Sequence, residues 1–252
     1  MLKVLYINAI MSEASGESMK QGLIDGLRRS KAAQIHGVEV EAYDIFYGKQ
    51  RYPRFMGEWL RDHKYDAVVL SGCEKNTSDL DDPWLAEYYT GLKDLLDIRP
   101  GREDEWDGPP VPVLGICFAH QAFAAALGGE TARVGMKVGV ETIKLLPQAD
   151  RHPVFRTLSK REANFVVYHG DQVVRMPRGF HVCMTSEYCP VQAMAHDRWP
   201  IFSMQPHPEM NASIKDASDD KETWEAVPRS AFETNDGPQV LAAFLDWVVS
   251  RL

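Results

Sequence analysis

The 252-residue sequence predicts a three-layer α/β sandwich with a central, mostly parallel sheet and a C-terminal mixed or antiparallel extension. In the first half, strand and helix patterns alternate, and the strand runs are nearly continuous in apolar residues, as in strands buried on both faces. After residue 135, short β-like runs follow one another without intervening helices. Apolar (44%) and charged (25%) contents are those of an ordinary globular protein, and the length fits a single domain over 1–252.

The first half provides the parallel strands. Asp82 is a candidate helix N-cap, and Pro83 stands at the first helical position. A further helix begins after Cys117 and is closed by Gly128 and Gly129. Because strands and helices alternate, the connections are expected to be right-handed crossovers. Strands are predicted at 2–8, 38–45, 65–72 and 111–117, with an amphipathic helix between the first two.

The second half provides the extension of the sheet. Its β-like runs are separated by Pro, Gly and Asp, which favours antiparallel or mixed pairing. Residues 211–237 are polar, charged and poor in β-branched residues, which predicts a surface excursion. An apolar helix after residue 237 is expected to pack on the sheet. The runs are "VGVETIKLL", "NFVVYHGDQVVRM", "FHVCMTS", "VQAMAH" and "WPIFSMQPHPE".

Charge and cysteine usage exclude several classes of function. The net charge of −8 argues against a nucleic-acid partner, since such partners are bound by clustered Lys and Arg. The apolar run at the N-terminus is too short for a signal segment or a membrane span, so a cytoplasmic location without a membrane partner is expected. The four cysteines are irregularly spaced and form no C-x-x-C pair, which predicts reduced thiols.

The segment Gly115-Ile116-Cys117-Phe118-Ala119 has the form of a nucleophile elbow, in which small residues flank a nucleophile on a sharp strand-to-helix turn. Such a turn places the thiol at a helix N-terminus, where the partial positive charge favours the thiolate. It also directs the Phe118 N–H towards a developing oxyanion. On these residues alone, Cys117 as a buried small apolar residue is an equally good interpretation.

A second motif, "QPHPE", follows the last predicted strand and supports the reactive interpretation. His207 and Glu209 are two residues apart in an extended segment, so the carboxylate can orient the imidazole. A thiol, a base and an orienting carboxylate make a nucleophilic triad of Cys117, His207 and Glu209. The alternative is a surface loop with a chance histidine and glutamate.

These motifs together resemble the class I glutamine amidotransferase family. The resemblance rests on "GICFAHQ" followed by "LGG", with "QPHPE" some 90 residues later, and covers most of the chain. It implies a flavodoxin-like fold and a triad that requires no metal and no cofactor. "DDPWL" and "HPVF" are most similar to stand-alone members related to γ-glutamyl peptidases.

The resemblance also implies roles for further residues. "LSGC" is similar to the family's oxyanion turn, so the N–H of Gly72 joins that of Phe118 in an oxyanion hole. Gln121 is similar to the elbow glutamine that contacts substrate. "YHGDQV" is similar to the segment around the amino-acid part of the substrate, which implies substrate-binding roles for Tyr168, His169 and Gly170.

The sequence departs from the family pattern at two places. Ala119 stands where the elbow usually has glycine, which adds a methyl group to a tight turn. Cys73 and Glu74 stand where the oxyanion turn commonly continues with glycine or Ser-Pro. Both departures concern the geometry of the oxyanion site and leave the three triad residues in place.

The favoured function is a free-standing hydrolase of a small γ-glutamyl substrate, either glutamine or a γ-glutamyl peptide, acting through a γ-glutamyl thioester. The alternative is a glutaminase subunit that supplies ammonia to a separate synthetase partner. Two other classes stay open. One comprises the peptidase and stress-protein relatives of this fold, in which histidine commonly follows the elbow cysteine. The other is a non-catalytic binding protein on the same scaffold. The oligomeric state is not determined by the sequence.

Overall fold

The structure, a computed structural model, describes residues 1–46, 48, 60, 62–79, 81–96, 108–158 and 160–252. Nine strands form one sheet in the order β2-β1-β3-β4-β9-β8-β7-β5-β6. Strands β2, β1, β3, β4 and β9 run parallel, whereas β8, β7, β5 and β6 extend the sheet by antiparallel pairing. The strands are β1 Leu2–Asn8, β2 Val38–Asp44, β3 Ala67–Leu70, β4 Val113–Ile116, β5 Glu130–Leu145, β6 Glu162–Arg175, β7 Phe180–Thr185, β8 Ala193–His196 and β9 Ile201–Met204.

Seven α-helices are present among the described residues. The N-cap predicted before α3 is confirmed, because the side chain of Asp82 accepts a hydrogen bond from the N–H of Trp84 at 2.9 Å, with Pro83 at the first position. The short helix α2 was not predicted, since it has little apolar periodicity of its own. The helices are α1 Glu13–Arg28, α2 Lys31–His36, α3 Pro83–Leu95, α4 Phe118–Ala126, α5 Ile214–Ala217, α6 Lys221–Glu225 and α7 Gly237–Val249.

Helices cover both faces of the parallel strands, as the apolar runs predict. On β1, Val4 and Tyr6 face the core shared with α1 and α7, and Leu5 and Ile7 face the core shared with α3 and α4. Alternation of side chains along a strand buries both sets. The predicted three-layer α/β sandwich with a parallel centre and an antiparallel extension is therefore confirmed.

The extension is longer than the sequence predicts and reaches the segment that follows β9. Strands β5 and β6 pair over most of their length, although Val134 and Met136 are exposed and give no alternating pattern. Beyond this pairing, Val166 of β6 forms an isolated antiparallel bridge with His207, which follows β9. This bridge brings β6 to the carboxyl ends of the parallel strands, where the polar motifs of the sequence lie.

Residues 211–237 contain helices α5 and α6 and a 3-10 helix at Arg229–Thr234. Trp224 and Ile214 of this excursion are buried together with Met19 of α1 and Met210. The excursion is thus packed against the body of the fold beside β6 and α1. Among the described residues, every helix is too short or too polar to span a bilayer.

Candidate active site

Cys117 lies on the sharp turn that joins β4 to α4. Its φ of 50° and ψ of −103° are unusual for a residue with a side chain and cost of order 1–3 kcal/mol of backbone strain. A Cβ at Gly115 would lie 2.3 Å from the Phe123 ring, so a side chain is excluded two residues before the cysteine. The Cys117 N–H donates to Met204 O at 2.8 Å, which fixes the turn to β9.

His207 and Glu209 lie on the segment that follows β9, and both are almost fully buried (2% and 1% exposed). Nδ1 of His207 donates a hydrogen bond to Oε1 of Glu209 at 2.8 Å. The backbone N–H of His207 donates to Val166 O at 2.8 Å, so the extension of the sheet holds the ring in place. Nε2 of His207 is buried and has no hydrogen-bond partner among the described residues.

The electrostatics of the pair favour a charged imidazole. Burial lowers the pKa of His207, but the neighbouring Cys117 and the Glu209 carboxylate outweigh burial and hold the pKa well above its usual value. An imidazolium of this kind stabilises a thiolate beside it. The structure thus brings together the three residues predicted as a triad, in an arrangement suited to nucleophilic chemistry.

Gly72, predicted in the oxyanion hole, lies directly against both residues. A Cβ at this position would be 2.9 Å from Cε1 of His207 and 3.5 Å from Cβ of Cys117, so only glycine fits without displacing the ring. Phe118 is the first residue of α4, and an N–H at that position has no acceptor within its own helix. Gly72 therefore packs against Cys117 and His207, and Phe118 directly follows Cys117, whereas the oxyanion role of their N–H groups stays a prediction.

A cavity of about 140 Å³ opens beside Cys117 and His207. It extends away from the sheet between the N-terminus of α1 and the excursion that carries α5 and α6. Its walls combine apolar side chains, three carboxylates and three serines. The lining residues are Ile10, Ser12, Ser15, Met19, Cys73, Glu74, Cys117, Tyr168, His207, Met210, Ile214, Ser218, Asp219, Asp220 and Trp224.

Of the four predicted substrate-binding residues, Tyr168 lines this cavity. Its backbone oxygen lies 3.6 Å from the Cys117 sulfur, and its ring stacks on Trp224 at 5.5 Å between centroids. Gln121, His169 and Gly170 do not line the cavity. His169 is buried, and burial lowers its pKa to about 4, so its ring is neutral at pH 7.

The side chain of Gln121 is held by other protein groups. Its amide nitrogen donates to Asp171 O at 2.8 Å and to Oε1 of Gln205 at 3.2 Å, and its oxygen accepts from Thr77 at 3.3 Å. Gln205 in turn directs its amide towards the Cys117 sulfur at 3.6 Å. A buried hydrogen-bond chain therefore connects the elbow helix to the nucleophile.

Several residues around the site have no role that the sequence predicts. Gln205 is the first residue of "QPHPE", and its place two residues before His207 is a usable signal. A Cβ at Gly22 of α1 would lie 1.9 Å from the backbone oxygen of Glu209, so this glycine lets α1 pack directly on the segment that carries the carboxylate. Glu74, Ser15 and Asp220 become neighbours only through the tertiary fold.

A family model for "Glutamine amidotransferase class-I" matches residues 15–219, which include the elbow and the His207–Glu209 segment. The chain belongs to the class I glutamine amidotransferase family. This result confirms the resemblance found in the motifs.

Two archaeal proteins are similar to this chain over part of its length. A glutamine-hydrolysing GMP synthase subunit of Thermococcus kodakarensis is 37% identical over 107 residues, which are 42% of this chain and 55% of that protein. The protein of the same name from Pyrococcus furiosus is 37% identical over 100 residues, 40% of this chain and 52% of that protein. The chain thus spans about half the length of these relatives.

Solved structures share the fold over nearly the whole chain. A glutamine amidotransferase from Thermotoga maritima superposes with a TM-score of 0.67 at 22% identity, covering 99% of this chain and 97% of that one. A glutamine amidotransferase from Methylobacillus flagellatus gives a TM-score of 0.64 at 20% identity, covering 100% and 94%. At these identities the likeness establishes the fold.

Proposed function

We propose that this chain hydrolyses the side-chain amide of glutamine by means of Cys117, His207 and Glu209. The observation that carries the proposal is the burial of the His207–Glu209 pair beside an elbow cysteine whose backbone is strained. A cysteine, a base and an orienting carboxylate in this relation are the parts of a nucleophilic triad.

In the first half of the reaction, the Cys117 thiolate attacks the amide carbon and the carbonyl π electrons move to oxygen. The N–H groups of Gly72 and Phe118 stabilise this oxyanion, each by about 3 kcal/mol in the transition state. When the oxyanion collapses, the C–N bond breaks and the imidazolium of His207 gives its proton to the leaving nitrogen. Ammonia departs and a γ-glutamyl thioester remains.

In the second half, neutral His207 takes a proton from water, and the resulting oxygen nucleophile attacks the thioester carbon. The C–S bond then breaks, glutamate leaves, and the thiolate–imidazolium pair is restored. Glu209 holds the imidazole with Nδ1 protonated, so that Nε2 is the atom that exchanges the proton.

The names of two relatives favour glutamine over a γ-glutamyl peptide, the substrate that the sequence motifs left open. The Thermococcus and Pyrococcus relatives are named as glutamine-hydrolysing subunits of GMP synthase. By analogy with those names, the partner of this chain is a separate synthetase that uses the released ammonia.

The test is covalent labelling with the diazo ketone analogue of glutamine, followed by intact mass. The thiolate forms a C–S bond to the carbon that carries the diazo group, a proton adds to that carbon and N2 leaves. One adduct is expected on the wild type and none on Cys117→Ala. Burial raises the pKa of Cys73, and it raises the pKa values of Cys183 and Cys189 to about 12, so these thiols stay protonated and unreactive.

Cys183→Ala is the matched control and is expected to label like the wild type. An adduct that persists in Cys117→Ala would remove Cys117 from its role. Ammonia release from glutamine then tests the partner: a large stimulation by a candidate synthetase supports the ammonia-supplying function. Unstimulated turnover together with full activity on γ-glutamyl dipeptides would instead support a free-standing peptide hydrolase.

A further inference from the structure

The sulfur of Cys117 is contacted by a backbone acceptor and by a side-chain donor outside the triad. The thiol donates to the backbone oxygen of Tyr168 at 3.6 Å. A bond of this kind favours the protonated thiol, because the negative end of the carbonyl dipole repels a thiolate. The side-chain nitrogen of Gln205 lies 3.6 Å from the same sulfur. A donor at this distance has the opposite effect and favours the thiolate.

The orientation of the Gln205 amide is fixed by its neighbours. The backbone oxygen of Asp171 only accepts hydrogen bonds, so the side chain of Gln121 must present its nitrogen there, at 2.8 Å. The same nitrogen donates to Gln205 at 3.2 Å, so Gln205 must present its oxygen to Gln121. The nitrogen of Gln205 is left to face Cys117. The sulfur therefore meets an N–H group and not a second carbonyl oxygen.

Gln205 is also shielded from water and held in place by its backbone. It is fully buried, and Cys117 is only 5% exposed. The backbone N–H of Gln205 donates to the oxygen of Gln192 at 2.8 Å. Hydrogen bonds to a charged group are strong, and they are stronger still where solvent does not compete. The amide is thus positioned to stabilise negative charge on the sulfur.

We infer that Gln205 is a further catalytic residue, whose side-chain N–H donates a hydrogen bond to the Cys117 thiolate. The inference rests on the proposed glutamine hydrolysis and adds one group to its machinery. In the first half of that reaction, the bond favours the thiolate that attacks the amide carbon. In the second half, the electron pair of the breaking C–S bond goes to sulfur, and the same N–H stabilises the departing thiolate.

The experiment measures how the alkylation of Cys117 by iodoacetamide depends on pH. This small neutral electrophile requires no substrate-binding site; the thiolate forms a C–S bond to its carbon and iodide leaves. Rates are followed by intact mass, and peptide mapping assigns the label to Cys117. In Gln205→Leu, which removes the donor at similar side-chain size, the pH midpoint of the rate is expected to rise by about one pH unit.

The rates on either side of the midpoint separate an electronic role from a structural one. A less stabilised thiolate is more nucleophilic, by about 0.4–0.5 log units for each pH unit. Well above both midpoints, Gln205→Leu should therefore react about threefold faster than wild type, and well below them about threefold slower. The two profiles are expected to cross. A sulfur that is merely displaced would instead react more slowly at every pH.

Gln192→Leu is the matched control. Gln192 is also a fully buried glutamine, but its amide bonds to Glu141 at 3.0 Å and to Ser186 at 3.1 Å. The same substitution there removes buried hydrogen bonds without touching the sulfur. Its midpoint is expected to stay within about 0.2 pH unit of wild type.

Gln205→Glu is the second variant. It keeps the size of the side chain and an acceptor for the Gln121 amide, but turns an oxygen towards the sulfur. Its midpoint should rise by at least as much as that of Gln205→Leu, since a carboxylate repels a thiolate. Circular dichroism checks folding, and if Gln205→Leu does not fold, Gln205→Glu decides the outcome.

An unchanged midpoint in the folded Gln205 variants, or slower labelling at every pH without a shifted midpoint, would overturn this inference. Glutamine turnover and labelling by the diazo ketone would then leave the proposed function standing. If the wild type neither turns over glutamine nor takes the diazo ketone label, the proposed function is overturned, and the catalytic role of Gln205 with it.

Discussion

At the scale of single residues, the site depends on the strained backbone of Cys117 and on the charged imidazole of His207. Cys117 keeps a positive φ because Gly115 and Phe123 pack tightly on one side and β9 bonds its N–H on the other. The His207 ring is confined between Gly72 and Glu209. A substitution at any of these positions changes the shape of the elbow turn or the place of the His207 ring as well as the side-chain chemistry. Ordinary core residues affect packing alone.

Glu209→Gln tests the charge on the imidazole. The carboxylate contributes to the raised pKa of His207, so its removal lowers that pKa and the imidazolium proton is lost at a lower pH. We expect the alkaline limb of the kcat/KM profile for glutamine to move to lower pH, and kcat to fall by at least about tenfold. Glu222→Gln, an exposed change on α6, serves as control. If the alkaline limb does not move, Glu209 does not raise the pKa of His207 during catalysis.

At the scale of elements, α4 shows how the departure from the elbow pattern is accommodated. Ala119 is fully buried in α4 and packs with the apolar core that includes Phe118 and Ala122. Its methyl group therefore fills core space on the helix side of the turn. In helix α1, by contrast, a methyl group would not fit at two positions. Gly22 leaves room for the backbone of Glu209, and Gly26 leaves room for the side chain of Leu241.

Ala119→Gly tests this role of the methyl group. Glycine in a helix costs about 1 kcal/mol relative to alanine, so we expect the free energy of unfolding to fall by about that amount or slightly more. The kcat/KM for glutamine should stay within about twofold of wild type. Denaturant unfolding and steady-state kinetics check the two parts, with Ala122→Gly in the same helix as control. A rise in kcat/KM confined to Ala119→Gly would show that the methyl group distorts the elbow.

At the scale of the whole molecule, the two cores enclose several neutral histidines. Burial lowers the pKa of His120 to about 3 and the pKa values of His152 and His169 to about 4. His120 is fixed between Ser203 Oγ at 2.9 Å and Val191 O at 3.0 Å. Between these values and the unfolded pKa of about 6.5, the unfolded chain binds more protons than the folded one.

The folded state is therefore expected to lose stability as the pH falls from about 6.5 towards 4, since ionising these histidines favours unfolding. His207 acts in the opposite sense: its pKa is raised, so its contribution is complete below about pH 6.5 and is lost as the pH rises. Urea midpoints measured from pH 5 to 8 check the prediction. His120→Gln should flatten the acid slope, whereas the exposed His36→Gln should not. A slope identical in both variants would contradict the assignment.

The sequence by itself determined the features that depend on local pattern. Apolar runs and their spacing predicted the parallel strands, Asp82 and Pro83 predicted the start of α3, and the elbow and "QPHPE" predicted which polar groups meet at the carboxyl ends of the strands. These signals succeed because a strand, a cap or a tight turn is specified by residues close together in the chain.

Only the tertiary structure decided what surrounds the sulfur. Ser15, Glu74 and Asp220 come from three distant segments, and the sequence predicts a shared site for none of them, yet they line one cavity with Cys117. The same holds for Gln121, whose bonds to Asp171 and Gln205 connect α4 with β6 and with the segment after β9. A cavity is bounded by contacts between residues far apart in sequence, and such contacts are fixed by the packing of whole elements.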